Sequence, residues 1–134
     1  MNNDISNLKN ITVLYVEDEK DLREVTSSIL QSFTKNQYVA SNGQEGYELF
    51  LKHDTDVDLI ISDINMPILN GLEMIKKIKD INKNVPIIVT TAFSNKEYLL
   101  EAIDIGVDKY VLKPVDFSKL LQAMSQSLNY HELK

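Results

Sequence analysis

Acidic residues gather at two points where a short apolar run ends. Glu17, Asp18 and Glu19 follow residues 11–16, and Asp63 follows residues 58–62. Two further runs end on groups suited to an anion: residues 86–91 close on the Thr91 hydroxyl, and residues 109–112 are followed by the Lys113 ammonium. Taken singly, an acid at such a place is more often a turn former or a helix cap. Jointly, several carboxylates, a hydroxyl and an ammonium make a reactive set. Two unit charges 4 Å apart repel by about 4 kcal/mol at an effective dielectric near 20, so converging acids call for a cation. Mg2+ fits, with Mn2+ as a substitute, because it takes hard oxygen ligands and commonly pairs one or two carboxylates with a phosphate. Carboxylate, divalent ion, Lys113 and Thr91 are the parts that move a phosphoryl group, where positioning and charge neutralisation do most of the catalysis. Asp63 is then the nucleophile, and an acyl phosphate is the product.

For these residues to meet, the runs that carry them must lie side by side. Residues 11–16, 58–62 and 86–91 are β-branched, apolar and too short for helices, so they read as buried strands, with weaker strands at 38–40 and 109–112. Between them the period changes. Leu22, Val25, Ile29, Leu30 and Phe33 fall on one helical face, and Leu120, Leu121, Met124 and Leu128 on another. Asn42 before Glu45, Asn70 before Glu73 and Ser94 before Glu97 mark three more helix starts, and Gly106 marks a helix end. Strand then helix, five times over, predicts a five-stranded parallel sheet with helices on both faces. Ligands of such sheets collect outside the carboxyl ends of the strands, where Glu17, Asp18, Asp63, Thr91 and Lys113 are expected. Phe93 and Phe117 read as helix-start staples, His53 as a solvated residue and His131 as part of a frayed tail.

The 134 residues suit one domain, with 43% hydrophobic and 25% charged residues. We expect a polar arm over 1–10, the domain over 11–130 and a tail over 131–134. A net charge of -6 opposes direct nucleic-acid binding by this chain, and the absence of cysteine removes disulfides, thiol catalysis and the common zinc sites. No apolar run approaches the roughly 20 residues of a membrane span, and the polar N-terminus is not a secretory signal, which places the chain in the cytoplasm.

Val-Glu-Asp-Glu at 16–19, Ser-Asp-Ile-Asn-Met-Pro at 62–67, Asn70-Gly71, Thr91-Ala92, Tyr110 and Lys113-Pro114 together resemble the receiver domain of two-component response regulators. The resemblance spans residues 11 to 128 and implies a (βα)5 flavodoxin-like fold. It implies that Asp63 accepts a phosphoryl group from a phosphohistidine on a sensor histidine kinase or histidine phosphotransfer protein. Asp18 and Asp63 would bind Mg2+ directly, Glu17 through a water, and the main-chain carbonyl of Asn65 would add a ligand. Thr91 and Lys113 would hold phosphoryl oxygens, with Thr91 and Tyr110 as switch residues acting on the surface of the fourth helix, fifth strand and fifth helix. A cis Lys113–Pro114 peptide is also implied. Glu17 departs from the family's more frequent Asp.

Such a chain is a signalling phosphoacceptor that catalyses only its own phosphorylation and dephosphorylation. Its output is expected in a downstream effector protein or a covalently linked domain, and a phosphorylation-linked dimer is compatible with it. Two rival readings are a pseudo-receiver that shares the fold and binds partners without phosphorylation, and a Mg2+-dependent aspartyl-phosphate phosphohydrolase of a related layered fold. The first usually lacks the acceptor Asp or the Lys, and the second carries Asp-x-Asp where this chain has Glu17-Asp18-Glu19. A flavin carrier would need a hydroxyl- and Gly-rich phosphate loop at the same place.

Overall fold

The β-branched runs form strands β1 (Thr12–Val16), β3 (Leu59–Asp63) and β4 (Ile87–Ala92), and the weaker stretches form β2 (Asn36–Ala40) and β5 (Lys109–Lys113). The computed structural model describes residues 4–92, 94 and 96–132. Helices α1 (Lys20–Phe33), α2 (Gly43–His53), α3 (Gly71–Ile81), α4 (Lys96–Asp104) and α5 (Phe117–Glu132) alternate with the strands. All strand pairs are parallel, in the order β2-β1-β3-β4-β5. The expected doubly wound sheet is therefore present, and its order reverses between β1 and β3.

Every residue of β1 and β3 is buried, whereas the edge strands β2 and β5 are partly open to solvent. That difference explains the two weak strand signals. An edge tolerates the polar Asn36 and Gln37, so β2 begins two residues before the apolar pattern does.

Side chains alternate across the strands and feed two cores. On one face Leu14, Val16, Ile60, Ile87 and Val89 meet Phe50 of α2, Leu72 and Ile75 of α3 and Ala102 of α4. On the other, Val13, Tyr15, Ile61, Ile88 and Val111 meet Leu30 of α1 and Leu120, Leu121 and Met124 of α5. Phe117 packs against this second core, as a staple should. Phe93, residue 95 within the expected Ser94/Glu97 box, and the outermost residues of the arm and tail lie outside the described residues.

The helix starts read from sequence are made by side chains. Asn42 Oδ1 accepts from the Glu45 N–H at 2.9 Å, and Asn70 forms a reciprocal capping box with Glu73. After α4, Gly106 adopts φ +96°. The Gly106 N–H donates to the Ile103 carbonyl and the Val107 N–H to that of Ala102, a Schellman closure.

The sheet's amino end is tied by side chains. Asp58 and Thr12 exchange Thr12 N–H to Asp58 Oδ2 and Asp58 N–H to Thr12 carbonyl, each 2.9 Å. Asp108 and Ile87 repeat the exchange at 2.6 and 2.8 Å. In the N-terminal arm a 3-10 turn, η1 (Ser6–Asn10), buries Leu8 completely in the α1/α5 core. Asn7 Nδ2 donates to the Ser125 carbonyl and to Asn129 Oδ1, each at 3.2 Å, while the Ser125 hydroxyl donates to Asn7 Oδ1 at 2.8 Å.

Candidate functional site

Val16 pairs with Ser62 in the β1·β3 register, so the next residues, Glu17 and Asp63, come abreast at the sheet's carboxyl end. Alternation sends both toward the α1/α5 side, where Tyr15 and Ile61 lie. Asp18 is exposed, whereas Glu17 and Asp63 are only 1% and 5% accessible. One carboxylate oxygen from each of Glu17, Asp18 and Asp63 lies within 4.8 Å of the other two. From β5, Lys113 Nζ stands 3.2 Å from Glu17 Oε1 and 3.2 Å from Asp63 Oδ2, bridging the two buried acids. Glu17 Oε2 accepts from the Glu19 N–H at 3.1 Å, but buried Oε1 has no directed hydrogen bond and meets Lys113 only as an ion pair.

Burial and the neighbouring Asp63 charge push Glu17 up to about 7, against the pull of the Glu19 N–H and Lys113. Burial likewise raises Asp63, with Lys113 opposing. Burial alone would lower Lys113, yet Asp63 and Glu17 outweigh it and hold the ammonium above its ordinary range. The acids are thus buried and crowded beyond what one lysine offsets. A hard-oxygen donor set in which the acids outnumber the one lysine fits a small divalent cation such as Mg2+.

The backbone behind Asp63 is fixed by close approach. A Cβ on Gly71, the first residue of α3, would lie 2.1 Å from the Asp63 carbonyl oxygen, so only glycine lets the helix start there. The Gly71 N–H donates to the Ile64 carbonyl at 2.7 Å, and the Ser62 hydroxyl to the Asp63 carbonyl at 2.8 Å. Between them, Ile68 holds φ +71° with its side chain 80% exposed.

Of the residues named from sequence, Glu17, Asp18, Asp63 and Lys113 are brought together. Asn65 lies in the exposed bend two residues beyond Asp63. Thr91 is at the same rim but fully buried, its hydroxyl turned back to the Ala92 carbonyl at 3.3 Å. Alternation puts Thr91 on the α3/α4 side of the sheet, opposite to Asp63. Tyr110 lies on that side too, in register with Val89 and 48% exposed. The Lys113–Pro114 peptide is cis, as expected.

Three features escaped the sequence reading. Thr90 pairs in register with Asp63 and carries a buried hydroxyl with no hydrogen-bond partner. Arg23 of α1 sends Nη1 to the carbonyls of Glu17 at 2.9 Å and Asp18 at 3.3 Å. The signal available for it was composition: it is the sole arginine among 14 basic residues. The histidines are elsewhere but not idle. His53, read as solvated, stacks on Tyr38 with ring centroids 3.9 Å apart, and His131, read as frayed, ends α5 with Nε2 2.6 Å from Asp108 Oδ1.

Comparison with known proteins agrees with this geometry. A match to the response regulator receiver domain family covers residues 13–125. The chain belongs to that family. It is 36% identical over 109 residues to the transcriptional regulatory protein CusR of Escherichia coli K12, covering 81% of this chain and 47% of CusR. The first curated relatives are longer, and the chain spans 27% to 47% of their length. Among solved structures, the N-terminal domain of an uncharacterized Wolinella succinogenes protein superposes with a TM-score of 0.82 at 36% identity, covering 92% of this chain and 97% of that one. The chemotaxis response regulator CheY4 of Vibrio cholerae gives 0.80 at 29% identity, covering 90% and 100%. The receiver family consists of signalling phosphoacceptors of bacterial two-component systems, which work with histidine kinases and output domains. Among the described residues of this receiver domain, no helix is long and apolar enough to cross a membrane.

Proposed function

We propose that this receiver domain is a Mg2+-dependent phosphoacceptor. An Asp63 carboxylate oxygen attacks the phosphorus of a phosphohistidine on a sensor histidine kinase or phosphotransfer protein. The P–O bond forms as the P–N bond breaks, and the imidazole leaves with the electron pair of that bond. Asp18 and Asp63, with the Asn65 carbonyl, would hold the ion, and Glu17 would reach it through a water. When bound, the ion neutralises charge spreading over the phosphoryl oxygens. Lys113 adds a fixed positive charge beside the acceptor, and Thr91 offers a hydroxyl. Later attack of water on the acyl phosphate restores the carboxylate and releases phosphate.

The observation that carries this reading is the three carboxylates within 4.8 Å of one another with Lys113 at 3.2 Å from two of them. Phosphorylation replaces the Asp63 carboxylate by a group carrying about -1.5 to -2 charges and three strong acceptor oxygens. The Thr91 hydroxyl would turn from the Ala92 carbonyl toward them, and Tyr110 would respond on the face made by α4, β5 and α5. That face would then be read by an effector protein or a linked output domain in the cytoplasm.

Intact-mass analysis after acetyl phosphate treatment, with and without Mg2+, tests the proposal. One phosphoryl group is expected on the wild type with Mg2+ and none on Asp63→Asn. An unmodified wild type in every condition would replace this reading with the pseudo-receiver one.

A further inference from the structure

We propose that Arg23 is a positioning residue for the metal site: it clamps the β1–α1 turn so that Glu17 and Asp18 present their carboxylates together. The inference rests on the phosphoacceptor reading, because the clamp matters for cation binding. Its basis is what holds the turn. Glu19, at the N-cap of α1, makes no side-chain capping hydrogen bond, so the usual device for fixing a helix start is missing where the acids sit. In its place Arg23, half-buried one turn into α1, donates from Nη1 to two successive carbonyls, Glu17 at 2.9 Å and Asp18 at 3.3 Å. The Arg23 N–H also donates to the Glu19 carbonyl at 2.9 Å, so the helix carries the guanidinium on the same turn.

The partner choice is informative. Arg23 stands close in sequence to Glu17, Asp18, Glu19 and Asp21, yet it makes no ion pair among the described residues. A charge placed only to offset acids would go to a carboxylate. This one goes to main-chain oxygens and leaves the carboxylates free for another cation. One guanidinium nitrogen serves both carbonyls, and the plane of the group fixes the directions of its N–H bonds, which a rotating lysine ammonium does not. The chain uses arginine only here, among 14 basic residues.

The two roles open to a cation beside a metal site have opposite signs. If Arg23 acts through its charge, removing it strengthens Mg2+ binding. If it acts by fixing the turn, removing it weakens binding. The test is a Mg2+ titration of the full chain, followed through backbone amide shifts of Asp18 and Asp63 by NMR, with metal-free thermal midpoints recorded in parallel. Arg23→Ala should bind Mg2+ about tenfold more weakly, the lower end of what outer partners of metal ligands contribute. Arg23→Lys, which keeps the charge and a donor but not the fixed plane, should fall between. Should Arg23→Ala fail to fold, Arg23→Lys and Arg23→Gln carry the test, both weaker than wild type. Unchanged or tighter binding in the folded variants, with or without a lowered midpoint, overturns the proposal. A wild type that binds no Mg2+ removes the phosphoacceptor reading and this inference with it, so the two failures are distinguishable.

Discussion

The two ends of the sheet use the same residue types in opposite ways. At the amino end, Asp58 and Asp108 each precede a strand, and each trades hydrogen bonds with the first residue of the neighbouring strand. His131 adds a second partner for Asp108. These carboxylates are satisfied by main-chain donors and close the fold. At the carboxyl end, Glu17 and Asp63 face each other and share one lysine, and burial pushes both upward. An acid whose partners are N–H groups is structural. An acid whose neighbours are other acids calls for a counter-charge.

The contrast can be broken most forcefully at Gly71. Gly71→Ala drives a Cβ against the Asp63 carbonyl oxygen and should cost more than about 3 kcal/mol in chemical denaturation, or prevent folding. An alanine variant of wild-type stability would mean that the start of α3 does not fix the acceptor strand.

Next in size is neutralising the crowded acid. Glu17 is ordinarily at 4.5 and is held at about 7 in the folded protein. A carboxyl raised on folding carries no penalty below its unfolded value and an increasing one as pH climbs through the window. The metal-free protein should therefore lose about 3 kcal/mol between pH 4.5 and about 7. Glu17→Gln should remove most of that loss, and saturating Mg2+ should flatten the same profile. Thermal midpoints across pH check both, and a flat metal-free profile would refute the crowding.

The same acid-to-amide change at the other end should have the opposite sign. Asp108→Asn weakens the reception of the Ile87 N–H and the contact with His131, for a loss of about 1 to 2 kcal/mol in urea unfolding. Stabilisation by this variant would erase the distinction between the ends. The smallest effect is expected at Ile68, a β-branched residue at φ +71°. Asparagine tolerates that conformation, so Ile68→Asn should gain about 0.5 kcal/mol by the same measurement. A loss would show that the exposed isoleucine is held by contacts rather than strained.

How legible each feature is in the sequence follows from the distance over which it is made. Strand cores and the Asn42 and Asn70 caps depend on neighbours a few positions away, and periodicity or spacing reveals them, whereas the face read for α1 took in Val25 and Phe33, which are exposed, and missed the buried Thr26. The convergence of Glu17, Asp18, Asp63 and Lys113 spans nearly the whole chain. It was readable because parallel topology gathers strand ends on one rim, which turns a long-range contact into a positional rule. No such rule covers the amino end. The links from Asn7 to Ser125 and from Asp108 to His131 join single polar residues without a repeating pattern, and Leu8 is one apolar residue in a polar arm. Arg23 escaped for a related reason: its partners are main-chain carbonyls, which look alike at every residue. Thr91 and Tyr110 were placed at the right rim and strand, yet side-chain facing depends on pleat, which residue type does not disclose.

The five strands form a partition with a separate oily layer on either side. Asp63 and Lys113 stand on one side of that wall, and Thr91 and Tyr110 on the other. The side chains packed on either face of the wall are mostly aliphatic, so the direct crossing for news of a chemical event is over the top edge. There, a hydroxyl resting on its own neighbour's carbonyl sits at a sill the two rooms have in common.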